Sequence, residues 1–185
     1  MNTAHYLSEI IKELQNATSQ ISAVESEKLV DGILTANKVF VTGAGRSGFM
    51  GKSFAMRMMH MGIDAYVIGE TVTPNFEKGD ILIIGSGSGE TKSLISIAEK
   101  AKSIGGTIVA ITIFPESTIG NLADFSVKLS GSPKDQSGEN NQTIQPMGSL
   151  FEQSLLLFYD AIILSFMSKK GMDSQKMYGR HANLE

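Results

Sequence analysis

The chain has 185 residues, a formal net charge of -3, 42% hydrophobic residues and 19% charged residues, a balance that suits one folded domain with a sizeable core. It has no cysteine, which excludes disulfides, thiolate metal sites and cysteine nucleophiles. The slight negative charge, without a cluster of Lys and Arg, argues against a nucleic-acid-binding surface.

Two amphipathic helices are predicted before the first strand. Apolar residues at helical spacing predict one helix from about Thr3 to Gln20 and a second from near Ser26 to Ala36. The first helix carries Glu9, Lys12 and Glu13 among its apolar residues, so we expect no signal peptide there. We expect the two helices to cover the sheet or to form a subunit interface.

From Lys38 onward, short apolar runs alternate with helical segments. Nearly continuous apolar runs are typical of parallel strands that are covered on both faces. The predicted strands are Val39–Val41, Ala65–Ile68, Ile81–Ile84, Thr107–Ile111 and Phe125–Leu129. The predicted helices between them are Ser47–Met61, Thr91–Ile104 and Thr118–Leu122. The fold class predicted is therefore single-domain α/β, with a doubly wound five-stranded parallel sheet in the flavodoxin-like order 2-1-3-4-5.

The remainder of the chain is predicted to form a polar loop, a long helix and a tail. Gly131–Asn141 is polar and should be a surface loop. A long helix is predicted from Met147 to Lys169, and its most apolar part, Leu155–Met167, is too short to span a bilayer and contains Asp160. We expect no membrane segment and a cytoplasmic location. The tail, Gly171–Glu185, has little apolar content.

The first predicted strand ends in a glycine-rich loop, Gly43-Ala44-Gly45-Arg46-Ser47-Gly48. Glycines let the backbone turn tightly and approach a ligand closely. The helix that follows points its N-terminus at this loop, and its free N–H groups favour an anion. Arg46 adds a forked cation suited to a phosphate or a carbonyl oxygen. The loop is therefore a candidate anion site.

The third predicted strand ends in a second such loop, Ser86-Gly87-Ser88-Gly89-Glu90-Thr91. Each hydroxyl of this loop can donate a hydrogen bond to a phosphate oxygen. In the predicted strand order, strands one and three flank the switch point where ligands bind, so both loops would face one crevice. The alternative is that the glycines only form turns and the hydroxyls only cap the helices.

A dinucleotide site is a second alternative. Gly43-x-Gly45-x-x-Gly48 matches the Rossmann fingerprint, and Glu70 follows the second predicted strand, where a ribose-binding acid would lie. The fingerprint does not require the second, hydroxyl-rich loop, and the chain leaves little room for a separate catalytic domain. Both points count against a dinucleotide site.

The pairing of GAGRSG with SGSGET on strands one and three resembles the SIS (sugar isomerase) domain, over roughly residues 29–171. The resemblance implies a five-stranded parallel sheet, a phosphosugar ligand, a helical segment at 1–28 and a tail at 172–185 that contributes to the active site. By position, Ser47, Ser86, Ser88 and Thr91 match the family's phosphate- and sugar-contacting residues. The full predicted substrate-binding set is Gly45, Arg46, Ser47, Ser86, Gly87, Ser88, Gly89, Glu90 and Thr91.

Two further motifs, Gly148-Ser149-Leu150-Phe151-Glu152 and the ending Arg180-His181-Ala182-Asn183-Leu184-Glu185, resemble the 6-phospho-3-hexuloisomerases. This resemblance implies conversion of D-arabino-hex-3-ulose 6-phosphate into D-fructose 6-phosphate in the ribulose monophosphate route of formaldehyde fixation. It also implies no organic cofactor and a dimer or tetramer. Because the three histidines lie far apart in sequence, we expect no histidine metal site.

The reaction implied by the resemblance moves a ketone from C3 to C2 through a 2,3-enediol. One carboxylate could remove the C2 proton and return a proton to C3, and we expect Glu152 to be that base. The alternative is that Ser149-x-x-Glu152 forms a capping box at the start of the long helix. His181 is expected to open the sugar ring or to donate a proton, in its own or a neighbouring subunit, although it could be only an exposed tail residue.

A non-catalytic phosphosugar sensor is the alternative from another class of protein. Such a sensor would use the same two loops to bind its ligand but would need no base. Glu152 and His181 therefore distinguish the two functions, and both favour the isomerase. His60 lies in a methionine-rich helical segment and is expected to pack rather than to catalyse.

Overall fold

The computed structural model describes residues 2–132 and 143–184, so most of the predicted loop at Gly131–Asn141 lies outside the described residues. The helices are α1 (Thr3–Thr18), α2 (Ala23–Thr35), α3 (Arg46–His60), α4 (Lys92–Ile104), α5 (Thr118–Leu122), α6 (Ser149–Lys170) and α7 (Ser174–Tyr178). The strands are β1 (Val39–Gly43), β2 (Ala65–Val67), β3 (Ile81–Gly85), β4 (Thr107–Thr112) and β5 (Phe125–Lys128).

The five strands form one sheet in the order β2-β1-β3-β4-β5, and every neighbouring pair is parallel. This confirms the predicted fold class. The central strand β3 is buried along its whole length, as its unbroken apolar sequence predicts. In the register of β1 with β3, Gly43 lies opposite Gly85. The two glycine-rich loops therefore leave the sheet side by side.

Each face of the sheet packs against a helical layer. One layer contains α2, α3 and α6, and it includes a ring stack in which the centroids of Phe54 and Tyr159 are 4.2 Å apart. The other layer contains α4 and α5. By length and composition α6 could span a membrane. Half of its apolar stretch is buried inside the protein, however, and the helix packs against α1, α2 and α3. That burial is typical of a core helix.

Two features of the C-terminal part of the chain were not predicted. The long helix begins at Ser149 instead of Met147, because Met147 has a φ of 55° and the Pro146 carbonyl accepts a hydrogen bond from the N–H of Ser149, which makes a turn. The tail also contains the short helix α7, whose first turn is capped by the Asp173 side chain. Aspartate is a favoured N-cap, so the sequence did contain a signal for this helix.

Candidate active site

A cavity of about 280 Å³ lies at the carboxyl ends of β1 and β3. Helices α3, α4 and α6 all begin at its wall. The lining residues are Ala44, Ser47, Gly85, Ser86, Gly87, Ser88, Thr91, Leu94, Ile113, Ser132, Phe151 and Glu152. The cavity therefore occupies the switch point of the sheet, where doubly wound proteins bind their ligands.

The three helices that begin at the cavity share an unusual N-terminus. Their N-cap residues are Gly45, Thr91 and Gly148, and no described side chain makes a capping hydrogen bond to any of the three. Each of the other four described helices, by contrast, has a capping side chain: Asn2, Ser22, Ser117 and Asp173. Uncapped helix starts present free N–H groups and the positive end of the helix dipole. These three are therefore suited to an anionic ligand.

The loop after β1 is shaped by close backbone approach. A Cβ on Gly48 would lie 2.7 Å from the carbonyl oxygen of Gly43, so only glycine lets α3 start this near the strand. Gly45 has a φ of 58°, which favours glycine. Ser47 is buried and lines the cavity, whereas Gly45 and Arg46 are exposed and lie outside the lining.

The loop after β3 supplies most of the polar lining. The Ser86 oxygen accepts from the N–H of Gly89 and the Ser88 oxygen from the N–H of Glu90, both at 3.2 Å. Each hydroxyl proton is then free to be donated to a ligand. Thr91 lines the cavity and does not cap α4 with its side chain. The structure therefore argues against the alternative in which this threonine serves only as a cap.

Gly89 and Glu90 lie outside the cavity lining, unlike the other predicted residues of this loop. The Glu90 carboxylate accepts hydrogen bonds from the N–H and the hydroxyl of Thr118, at 2.7 and 2.8 Å. The backbone bond first, and then the hydroxyl bond, lower the pKa of Glu90 below its ordinary value. Glu90 therefore fastens the start of α5 to the loop, and its carboxylate is bonded to Thr118 outside the cavity lining.

Glu152 lies in the first turn of α6, is 5% exposed, and lines the cavity. Its Oε2 is 3.1 Å from Nε of Arg46, and Nη1 of Arg46 donates to the Ser149 hydroxyl at 3.2 Å. Ser149 is the first helical residue, and the N-cap is Gly148. The capping box considered as an alternative is therefore not formed, and the Glu152 carboxylate is free to face the cavity.

His181 lies elsewhere in the protomer. Its ring stacks on that of His60, with centroids 5.2 Å apart, and both line a second cavity of about 420 Å³ between the C-terminal halves of α3 and α6. Ser47 begins α3 and His60 ends it, and the 15 residues of this helix separate the two cavities by about 20 Å. One protomer therefore does not bring His181 and Glu152 together.

Six lining residues were not in the predicted site: Ala44, Gly85, Leu94, Ile113, Ser132 and Phe151. Ile113 and Ser132 follow β4 and β5, whose carboxyl ends reach the same edge of the sheet, so the predicted topology could have indicated them. Phe151 precedes Glu152 in the first turn of α6 and packs beside Gly87, where a Cβ would lie 3.2 Å from its ring.

The acid proposed for a dinucleotide site has another partner. The Glu70 carboxylate lies 2.5 Å from the ammonium group of Lys52, and both side chains are about half exposed. This ion pair joins α3 to the end of β2 and lies outside the cavity lining. Within residues 2–132 and 143–184, no group of three or more His, Asp or Glu side chains could hold a metal ion.

A doubly wound parallel sheet with a polar cavity between three uncapped helix starts defines a class of α/β proteins that bind anionic ligands at the switch point. Within that class, the SIS domain model matches residues 32–157, and the chain belongs to the SIS domain family.

Relatives of known name match most or all of the chain. The 3-hexulose-6-phosphate isomerase of Bacillus subtilis (strain 168) is 58% identical over 185 residues, which is 100% of both chains. The protein of the same name from Methanocaldococcus jannaschii is 39% identical over 85% of this chain and 83% of its own. A crystal structure from Methanococcus jannaschii, for which the function of 3-hexulose-6-phosphate isomerase was inferred, has a TM-score of 0.83 at 34% identity and covers 97% of this chain and 98% of that one.

Proposed function

We propose that this protein isomerises D-arabino-hex-3-ulose 6-phosphate to D-fructose 6-phosphate in the ribulose monophosphate route of formaldehyde fixation. The observation that carries the proposal is the placement of one buried carboxylate, Glu152, in the same cavity as three uncapped helix starts. The names of the Bacillus subtilis and Methanocaldococcus jannaschii relatives support the same reaction.

The phosphate end of the substrate would lie against the two glycine-rich loops. Ser47, Ser86, Ser88 and Thr91 line this part of the cavity and can each donate a hydroxyl hydrogen bond. The free N–H groups at the starts of α3 and α4 add charge-assisted hydrogen bonds to a phosphate. The carbon chain would then extend towards Glu152 in the first turn of α6.

Glu152 would transfer a proton between neighbouring carbons. Its carboxylate removes the C2 proton, the C2–C3 double bond of the enediol forms, and negative charge develops on the C3 oxygen. A proton passes from the C2 oxygen to the C3 oxygen, and Glu152 returns its proton to C3 as the C2 ketone forms. Electrons and protons balance within the substrate, so the reaction requires no redox cofactor. The Arg46 guanidinium pairs with the Glu152 carboxylate at 3.1 Å, and we expect it to help stabilise the oxyanion.

His181 would act from a second copy of the chain. Within one protomer it is about 20 Å from the cavity, and it lies among exposed apolar side chains of α3, α6 and α7 that suit a subunit interface: Met56, Met59, Leu164 and Tyr178. We therefore place the imidazole in the partner's cavity of a dimer or tetramer, where it would open the cyclic sugar or protonate a carbonyl oxygen. The substrates are soluble metabolites, which fits a cytoplasmic location.

A coupled assay tests the function. Hexulose 6-phosphate synthase supplies the substrate, and formation of fructose 6-phosphate is followed. We expect turnover by the wild-type protein. Stabilisation by fructose 6-phosphate in a thermal shift without any turnover would instead identify a phosphosugar sensor, and stabilisation by NAD alone would indicate a dinucleotide site.

Mixing two inactive variants tests whether His181 acts across subunits. Glu152→Gln and His181→Asn each lose activity alone, but a mixed dimer contains one site with Glu152 from one chain and His181 from the other. After subunit exchange of an equal mixture, about a quarter of the wild-type activity should return. No recovery despite proven exchange would show that both residues act within one chain.

A further inference from the structure

Glu13 on α1 binds the chain segment that leads into α6. Its carboxylate accepts hydrogen bonds from the Thr143 hydroxyl at 2.6 Å, the N–H of Ile144 at 2.8 Å and the side-chain amide of Gln145 at 2.9 Å. Three donors on consecutive residues therefore converge on one carboxylate, more than 100 positions away in the sequence.

The bonding favours the ionised form of this carboxylate. Burial alone would raise the pKa of Glu13, but the hydrogen bonds from Thr143, Gln145 and Ile144 outweigh it and lower the pKa below the ordinary value. The three bonds are therefore charge-assisted, which makes each stronger than a bond between neutral groups.

The segment held by Glu13 continues directly into a strained turn. Gln145 is buried, and two residues later Met147 has a φ of 55°, a left-handed conformation that is costly for a residue with a side chain. The turn closes through the bond from the N–H of Ser149 to the Pro146 carbonyl, and Ser149 begins α6. Strain of this kind persists only where surrounding contacts impose it, and Glu13 supplies such contacts.

The N-terminal part of the chain also contacts the segment that follows β5. The Gln20 side chain, just past the end of α1, accepts a hydrogen bond from the Ser130 hydroxyl at 2.9 Å. Ser132, two residues further on, lines the cavity. Helix α1 itself packs against α6. The N-terminal helix is therefore in contact with two segments that border the candidate active site.

We propose that Glu13 is a positioning residue for catalysis: by binding residues 143–145 it imposes the turn at Met147, and that turn sets where α6 begins and where Glu152 enters the cavity. The inference rests on the proposed role of Glu152 as the base. Glu13 itself lies outside the lining of the cavity. Its effect on the reaction passes through the start of α6.

The first test is the effect of Glu13→Ala on kcat and KM. The phosphate-binding loops do not depend on this contact, so KM should change by less than about twofold, whereas misplacing the base should lower kcat about tenfold or more. Glu13→Gln keeps an acceptor oxygen and should fall between. Glu9→Gln is the matched control, because Glu9 lies on the same helix and pairs with Lys12 at the surface. A wild-type kcat for Glu13→Ala would overturn the proposal.

The second test is rescue by Met147→Gly. Glycine adopts a positive φ without strain, so the turn should form without the hydrogen bonds to Glu13. The double variant Glu13→Ala/Met147→Gly should therefore regain most of the lost kcat. Met147→Gly alone should leave kcat nearly unchanged. A double variant no more active than Glu13→Ala would show that Glu13 does not act through this turn, and would overturn the proposal.

Hydrogen exchange provides a readout that does not require activity. The amides of Ser149 and Glu152, which donate to the Pro146 and Gly148 carbonyls, should exchange at least about tenfold faster in Glu13→Ala than in Glu9→Gln if Glu13 holds the start of α6. Equal exchange rates would overturn the proposal even if the wild-type protein proved to have another function. If the wild-type protein were inactive but exchange were faster in Glu13→Ala, the result would count against the proposed function. It would still support the role of Glu13 in holding the start of α6.

Discussion

Nε of Arg46 lies 3.1 Å from Oε2 of Glu152. The two residues belong to the first turns of α3 and α6, so the ion pair joins two helices at the point where both begin. The Arg46 side chain is 57% exposed and that of Glu152 only 7%. The guanidinium therefore approaches the carboxylate from the solvent side and leaves the cavity side open to a ligand.

Replacing Glu152 tests the base directly. Glu152→Gln keeps the size of the side chain but cannot accept the C2 proton, so turnover should fall at least ~100-fold while folding and KM change little. The coupled assay and a thermal melt measure both effects. Glu99→Gln, an exposed change on α4, is the control and should be fully active. A fully active Glu152→Gln protein would remove Glu152 from the mechanism.

Replacing Arg46 tests its paired contacts with Glu152 and Ser149. Lysine carries the same charge but cannot reproduce the two-point geometry to Glu152 and Ser149. We expect kcat/KM to fall about tenfold in Arg46→Lys and about 100-fold in Arg46→Ala. Ser149→Ala removes the weaker of the two contacts and should cost less than either. Equal activity of the lysine and wild-type proteins would show that only the charge matters.

Two hydroxyls at helix starts should behave oppositely. Thr91 lines the cavity and does not cap α4, so Thr91→Val should raise KM and change the free energy of unfolding by less than about 0.5 kcal/mol. Ser117 accepts a capping bond from the N–H of Gly120, so Ser117→Ala should cost about 1 kcal/mol of stability and leave KM unchanged. Steady-state kinetics and urea unfolding separate these outcomes; a large loss of stability in Thr91→Val would contradict the assignment.

His60 should make stability depend on pH. Burial first, then the nearby charges of His181 and Arg57, lower the pKa of His60 below its ordinary value of 6.5. The unfolded chain therefore binds the proton more readily than the folded protein. The stability that comes from keeping His60 neutral is complete above pH 6.5 and is lost as the pH falls towards the folded pKa. His60→Gln should flatten that part of the curve of unfolding free energy against pH, measured at one protein concentration.

Tyr159 should tolerate loss of its hydroxyl. Its ring is fully buried against Phe54, and no hydrogen-bond partner for the hydroxyl exists among the described residues. A buried hydroxyl without a partner costs free energy, so Tyr159→Phe should leave the free energy of unfolding unchanged or raise it by about 1 kcal/mol. Destabilisation by more than that amount, measured by urea unfolding, would show that the hydroxyl has a partner after all.

The parts of the fold that depend on local sequence could be predicted. Apolar runs such as Ile81–Ile84 identify buried parallel strands. Parallel strands place the loops that follow them at one edge of the sheet, so the sequence alone predicts that Ser47 and Ser86 lie close together. The short helix Thr118–Leu122 was predicted at its observed bounds. These features need only neighbouring residues and a simple topological rule.

The parts that depend on distant contacts could not be predicted. The start of α6 is shifted by the turn at Met147, which Glu13 holds from the far end of the chain. Glu90 was expected in the site because of its loop, but Thr118 draws the carboxylate away. The position of His181 depends on its stacking against His60. None of these pairings leaves a periodic pattern in the sequence.

The missing caps on α3, α4 and α6 have a consequence for the resting protein. Glycine at the N-caps of α3 and α6 forgoes a few tenths of a kcal/mol relative to a capping side chain, and the unused Thr91 side chain up to about 1 kcal/mol. These helix starts are therefore less stable without a ligand than capped starts would be. A phosphosugar that binds those N–H groups takes the place of the absent side chains. The bound metabolite would therefore stabilise the fold. We expect the lifetime of the protein in the cell to rise with the supply of the sugar phosphate that it binds.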